Sequence, residues 1–212
     1  MTPAHTNANL TVADVDAVLL DMDGTLVDSD AAVERVWTDW AHAQGVDPEA
    51  VLATCHGETA EVTVRRFRPD LDDAEVDRHA RAHMERETRD LDGVVAATGA
   101  VELLGVLDRL ALPWAVVTNA SQVLARARLG AAGIDPPHLV GVDDVAEGKP
   151  APDGYLAAAT TLGVDITRCL VVEDSASGVA AGRAAGARVA GVRGIDADVR
   201  LDDLTDLARL LE

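Results

Sequence analysis

The sequence predicts an α/β protein: a doubly wound parallel sheet core with a small α-helical domain inserted after the first strand. Three observations predict it. Short apolar runs alternate with helical patterns over most of the chain. The stretch from about residue 31 to 92 carries helical periodicity alone. A length of 212 residues, 48% of them hydrophobic, is enough for one core of ordinary size plus a small insertion. Because Trp, Tyr and Phe number only 3, 1 and 1, that core must be built from Ala, Val and Leu.

Residues 17–20 form a short apolar run that ends in the acidic turn DMDGT, as suits a buried strand presenting side chains at its C-terminal end. Amphipathic helices are then expected over 31–43, 48–55, 60–67 and 72–89. A long crossover is the alternative, but a crossover needs only a dozen or so residues. The organisation expected is therefore a core of residues 1–30 and 93–212 with an inserted cap of residues 31–92. Beyond it, helices over 101–110, 122–132, 155–162, 179–185 and 202–211 alternate with strands over 114–117, 138–142, 169–172 and 188–192. Such alternation gives a parallel sheet covered on both faces, with ligands at the carboxyl ends of its strands.

Charge excludes some functions. Against 37 acidic residues stand 18 basic ones, a formal net charge of -19, and Lys149 is the lone lysine among them. A surface this acidic repels phosphate backbones and anionic membranes, so no nucleic-acid or membrane partner is expected. The first sixteen residues lack a basic n-region and an apolar run, and no apolar stretch approaches the length of a membrane span. Cys55 and Cys169 lack CxxC spacing and are read as reduced, packed side chains. A cytoplasmic monomer is expected.

Four clusters carry chemistry. In Asp21-Met22-Asp23-Gly24-Thr25, two carboxylates two residues apart at a strand end can diverge, one to attack and one to reach a leaving group. Taken alone, the run is also an ordinary acidic turn. In 116–121, Val-Val-Thr-Asn-Ala-Ser, a strand ends in the Thr118 hydroxyl and the next backbone N–H groups open a helix, which makes either an anion site or a plain helix cap. Gly148-Lys149-Pro150 holds the single ammonium in a restrained turn; the bland alternative is a solvated lysine. Glu173-Asp174-Ser175 ends an apolar strand before a helix bearing Gly178 and Gly182, which suits either magnesium ligation or an N-cap aspartate.

Jointly, in order and each at a strand end, these clusters resemble the four signature motifs of the haloacid dehalogenase (HAD) superfamily. The resemblance spans about residues 16–193 and includes the family's small helical cap. DMDGTLVDSD, GKPAPDGY and VVEDSASGVAAGRAAG are similar to the subgroup of sugar-phosphate phosphatases and beta-phosphoglucomutases. It implies a Rossmann-like HAD core and a hydrolase acting on small phosphorylated metabolites. Carried over by position, Asp21 is the nucleophile that forms an aspartyl phosphate, and Asp23 protonates the leaving alcohol and then activates water. Mg2+ would be held by Asp21, the Asp23 carbonyl and Asp174, with Glu173 beside them. Thr118, the Asn119 amide and Lys149 would hold the phosphoryl oxygens.

Within the superfamily, the lone lysine discriminates. Phosphonoacetaldehyde hydrolases need a cap lysine, which is absent, and haloacid dehalogenases lack an acid at the position of Asp23. A beta-phosphoglucomutase-like phosphomutase, whose well-known members also use a cap lysine, stands as the alternative, and a non-catalytic phosphometabolite-binding protein as the second. Substrate choice is assigned to the cap loop His56-Gly57-Glu58-Thr59, which resembles the His-Gly loop of sugar, sugar-alcohol and glycerol phosphate phosphatases. Thr59 stands where many relatives carry Arg or another polar residue. His56 is read as structural, the Trp37/Trp40 pair as helix packing with pocket lining as the alternative, and Arg65, Arg66 and Arg68 as a solvated face ahead of a second phosphate site. Hinges are expected near 29–31 and 91–94.

Overall fold

The computed structural model describes residues 12–55 and 58–212. Its core is a six-stranded sheet in the order β5-β4-β1-β6-β7-β8, every pairing parallel. The strands are β1 (Ala17–Leu20), β4 (Trp114–Val117), β5 (Leu139–Val140), β6 (Cys169–Glu173), β7 (Arg188–Gly191) and β8 (Val199–Arg200). β1, β4 and β6 are apolar at almost every position and buried on both faces, as a parallel sheet between two helical layers requires.

Two clusters cover the two faces. On one, Leu20, Val116 and Val172 pack with residues of α5 (Ala100–Leu110), α6 (Gln122–Ala131) and α9 (Leu204–Leu211). On the other, Leu19, Val117 and Val171 pack against α7 (Asp153–Leu162) and α8 (Ala176–Ala185). Ala, Val and Leu make up most of both, in keeping with the scarcity of aromatics.

Between β1 and β4 lies the inserted helical cap: α1 (Asp30–Gln44), α2 (Pro48–Cys55), α3 (Ala60–Phe67) and α4 (Asp73–Arg89). These helices have their own apolar cluster of Trp37, Trp40, Ala41, Val51, Cys55, Val64 and Val76. Trp37 and Trp40 meet edge to face at 5.3 Å within this cluster, and Trp37 also reaches the cavity beneath the cap. Arg65, Arg66 and Arg68 reach Asp73, Glu58 and Asp70, a solvated ion-pair face.

The structure corrects the sequence reading at several ends. Strand 138–142 shrinks to Leu139–Val140, because Gly141 leads into a 3-10 turn whose Asp144 accepts from the Gly141 N–H at 2.8 Å. Helix 179–185 begins instead at Ala176, since the Ser175 hydroxyl caps the Gly178 N–H. The last helix starts at Leu204 rather than 202, with Asp203 capping Thr205. A two-residue antiparallel ribbon of β2 (Val27–Asp28) and β3 (Val95–Ala96), and the short β8, were not expected; two residues carry no periodicity. The ribbon joins the two chain segments that enter and leave the helical cap, and Arg35 reinforces them through a paired contact to Asp90 at 2.6 and 3.0 Å.

Candidate active site

Sheet order creates the site. β1 lies between β4 and β6, with Leu20 in register with both Val116 and Val172, so the residues that follow these strands emerge side by side. Asp21 leaves β1 beside Thr118 and Glu173, and its N–H is held by the Val172 carbonyl at 3.0 Å. This is the crevice at the strands' carboxyl ends where open α/β sheets bind ligands.

Lys149 arrives from the loop before α7. Its side chain is only 6% exposed, and its ammonium donates to Asp21 Oδ1 at 2.5 Å, Glu173 Oε1 at 2.5 Å and the Val117 carbonyl at 2.8 Å. The Asn119 side chain fixes that loop: Oδ1 accepts from the Lys149 N–H at 2.8 Å and Nδ2 donates to the Lys149 carbonyl at 3.1 Å. Asn119 is therefore tied to Lys149 through both ends of its side-chain amide. Thr118 is buried, its hydroxyl accepting from the Ala120 N–H at 3.0 Å, and Ser121 caps α6 by accepting from Leu124.

Glu173 is fully buried. Besides Lys149 it accepts from the Tyr155 hydroxyl at 2.7 Å through Oε1 and from the Ser175 hydroxyl at 3.0 Å through Oε2. Gly178 makes room for it, since a Cβ there would lie 1.8 Å from the carboxylate. Gly24 does the same for Asp174: its φ of +82° favours glycine, and a Cβ would lie 2.0 Å from Asp174 Oδ2.

Among the described residues, ligand atoms of Asp21, Glu173 and Asp174 come within 4.8 Å of one another. Burial pushes the Asp21 carboxyl well above the usual range, against the pull of Lys149, and the charges of Glu173 and Asp174 add to the rise. Burial and then Glu173 push Asp174 up to about 7, opposed by Arg193 and Lys149. Burial works against the Lys149 ammonium, yet Asp21 and Glu173 outweigh it and hold the group charged. Three carboxylates around one ammonium leave a surplus of negative charge. All-oxygen donors with such a surplus fit a hard divalent cation such as magnesium.

Asp23 faces a different way. Its Oδ1 accepts from the Ser29 hydroxyl at 2.6 Å and its Oδ2 from Arg128 Nη1 at 2.7 Å. Asp21, Asp23, Thr118, Asn119, Lys149 and Asp174 line one cavity of about 540 Å³, roofed by the helical cap. Glu58 and Thr59 also line it, Glu58 paired with Arg66 at 2.6 Å, whereas His56 and Gly57 lie outside the described residues. The structure thus gathers the predicted core residues around one space. It adds Arg128, Tyr155, Ser29 and the cap residues Glu87 and His83. Periodicity held a signal for three of these. Arg128 shares the buried stripe of α6 with Leu124, Ala125 and Leu129, and His83 and Glu87 continue the stripe of Val76 and Ala80 on α4.

A family model for haloacid dehalogenase-like hydrolases matches residues 15–186. The chain belongs to that family. It is 40% identical to hexitol phosphatase A of Escherichia coli K12 over 92% of this chain and 90% of the relative. It is 34% identical to 2-deoxyglucose-6-phosphate phosphatase 1 of Saccharomyces cerevisiae, covering 84% and 79% of the two chains. Among solved structures, CbbY of Rhodobacter sphaeroides in complex with phosphate superimposes with a TM-score of 0.78 at 26% identity, over 91% of this chain and 96% of that one. The α/β fold with an inserted helical cap and the assignment as a HAD-like phosphatase, both read from the sequence, hold. Among the described residues, no helix is long and apolar enough to cross a membrane.

Proposed function

We propose that this enzyme is a magnesium-dependent phosphatase of small phosphorylated sugars, sugar alcohols or glycerol, working through a phosphorylated Asp21. The observation that carries the reading is the division of labour between two aspartates: Asp21 sits in the Lys149 and Glu173 cluster, and Asp23 is turned away by Ser29 and Arg128 toward the cap side of the cavity. Names of the relatives, hexitol and 2-deoxyglucose-6-phosphate phosphatases, support the substrate class.

In this reading an Asp21 carboxylate oxygen attacks the substrate phosphorus as the P–O ester bond breaks, and Asp23 gives its proton to the departing alkoxide. The ionised Asp23 then takes a proton from water as that water attacks phosphorus. The acyl phosphate opens, inorganic phosphate leaves and Asp21 is regenerated. Lys149 is a fixed positive charge beside the transferring oxygens, and Glu173, braced by Tyr155 and Ser175, holds its ammonium in place. The Thr118 hydroxyl and the Asn119 backbone N–H supply donors to the phosphoryl group. Asp21, Asp174 and the Asp23 carbonyl, with Glu173 beside them, would hold magnesium, which neutralises charge on the transferring group.

Residues 31–92 are taken as the cap, closing over the site about the linkers near 29–31 and 91–94 that the β2–β3 ribbon ties together. A phosphate-release panel with and without magnesium tests the reading. Turnover of polyol phosphates that needs the metal and vanishes in Asp21→Asn is expected; no turnover of any small phosphomonoester, or an Asp21→Asn enzyme as active as wild type, would sink it.

A further inference from the structure

A chain of charged and polar side chains crosses from the core into the cap. Arg128, on core helix α6, has a side chain 5% exposed. Its Nη1 donates to Asp23 Oδ2, while its Nη2 lies 3.2 Å from Glu87 Oε1 on cap helix α4. Glu87 Oε1 is in turn 3.2 Å from His83 Nε2, and the His83 ring lies over Trp37 of α1 with centroids 3.7 Å apart. The other Asp23 oxygen is held by Ser29, the residue from which α1 springs. One buried cation thus stands between a carboxylate of the core and a carboxylate of the cap. Burial alone would push the Glu87 carboxyl up, but His83 and Arg128 outweigh it and hold it below its usual range.

We propose that Arg128 is a positioning residue for Asp23 and that, through Glu87, it ties the orientation of that carboxylate to the position of the cap. Only a planar fork can serve two carboxylates at a set spacing; a lysine offers a point charge. A buried ion pair is a weak source of stability once desolvation is counted, so geometry is the better reason to hold one here. Arg128 Nη2 and Nε have no hydrogen-bond partner among the described residues, so the fork is not saturated in this arrangement. Both contacts that orient Asp23 have a cap element at their far end: the start of α1 for Ser29 and the last turn of α4 for Arg128. With the cap displaced, Glu87 leaves Arg128, and the leaving-group acid loses the contact that completes its setting.

The inference rests on the reading of Asp23 as the acid for the leaving alcohol, and leaving-group dependence tests it. Values of kcat/KM, which report steps through transfer to Asp21, are compared for glycerol 1-phosphate, propyl phosphate and acetyl phosphate with magnesium present. Acetate departs without a proton, whereas an alkoxide needs one. Arg128→Met should lose at least about ten-fold more on both alkyl phosphates than on acetyl phosphate, a part of the roughly 10²–10⁴-fold that a positioned general acid supplies. Arg128→Lys should not restore the difference. Glu87→Gln, which keeps the shape and removes the charge, should shift the ratio the same way by a smaller factor; it carries the test if Arg128→Met does not fold. Equal loss on all three substrates would assign Arg128 to packing or phosphate binding, and loss on glycerol phosphate alone would assign it to substrate hydroxyls; either overturns the proposal. An unchanged ratio in Glu87→Gln overturns the link to the cap. Wild-type failure on all three substrates refutes the proposed function instead, whereas wild-type turnover with unselective variants refutes only the role of Arg128.

Discussion

Lys149→Ala is the most informative single change. It removes the ammonium that Asp21, Glu173 and the Val117 carbonyl all share, and leaves Asp21, Glu173 and Asp174 facing one another. Breaking a buried pair by deleting one partner costs about 3–5 kcal/mol, because the other charges stay buried without compensation. For a domain of this size each kcal/mol shifts the melting temperature by about 2–4 °C, so a fall of about 6–20 °C is expected in the absence of metal. Saturating magnesium should recover part of it, since a ligand at a hundred times its Kd adds about 2.7 kcal/mol. In phosphate release, kcat should drop at least about a hundred-fold, the scale for losing one preorganised charge on a developing anion. Calorimetry with a magnesium titration and steady-state kinetics read both effects. An active Lys149→Ala enzyme would refute the assignment of Lys149 to the transferring phosphoryl group. A melting temperature within a degree or two of wild type would refute the account of the buried charge balance.

Gly178→Ala puts a Cβ 1.8 Å from the Glu173 carboxylate; overpacking of this kind costs about 1–3 kcal/mol, and kcat should fall further than stability because Glu173 must swing off Lys149. Kinetics set beside the melting temperature separate the two effects. Tyr155→Phe deletes a buried hydroxyl that donates to Glu173, and denaturant unfolding should register a loss of about 1.5–3 kcal/mol, the range for a hydrogen bond to a charged group. Burial pushes the Cys55 thiol up to about 12 and the Cys169 thiol up to about 11. At pH 8 both stay protonated and buried, so a thiol reagent should label neither until the protein is unfolded; rapid labelling of the native enzyme would contradict the packing around α2 or β6.

Much of the architecture was legible because it is local. The apolar runs that became β1, β4 and β6 carry their own burial pattern, and the inserted helices show their own amphipathic stripes. Asp21, Thr118, Lys149 and Asp174 belong to clusters that each follow a strand end or a restrained turn, and it is their joint order, resembling the HAD motifs, that singles them out. The two-residue ribbon of β2 and β3 left no such mark, and capping by Ser175 and Asp203 moved helix starts that periodicity alone misjudged.

What the sequence by itself determined is the inventory: an acidic chain with one lysine, an alternating core, an inserted helical segment and four polar clusters in a set order. Tertiary structure decided which residues meet. Whether Asp21 lies beside Glu173 depends on β6 pairing with β1, although their first partners, Ala17 and Cys169, stand 152 positions apart in the chain. The bond from Arg128 to Asp23 spans 105 positions, and the contact to Glu87 needs the cap seated on α6. Periodicity could say that Arg128 points inward. Only the packing of α4 against α6 says toward what, because the partner of a buried charge is set by which helices lie face to face and not by the charge's neighbours in the chain.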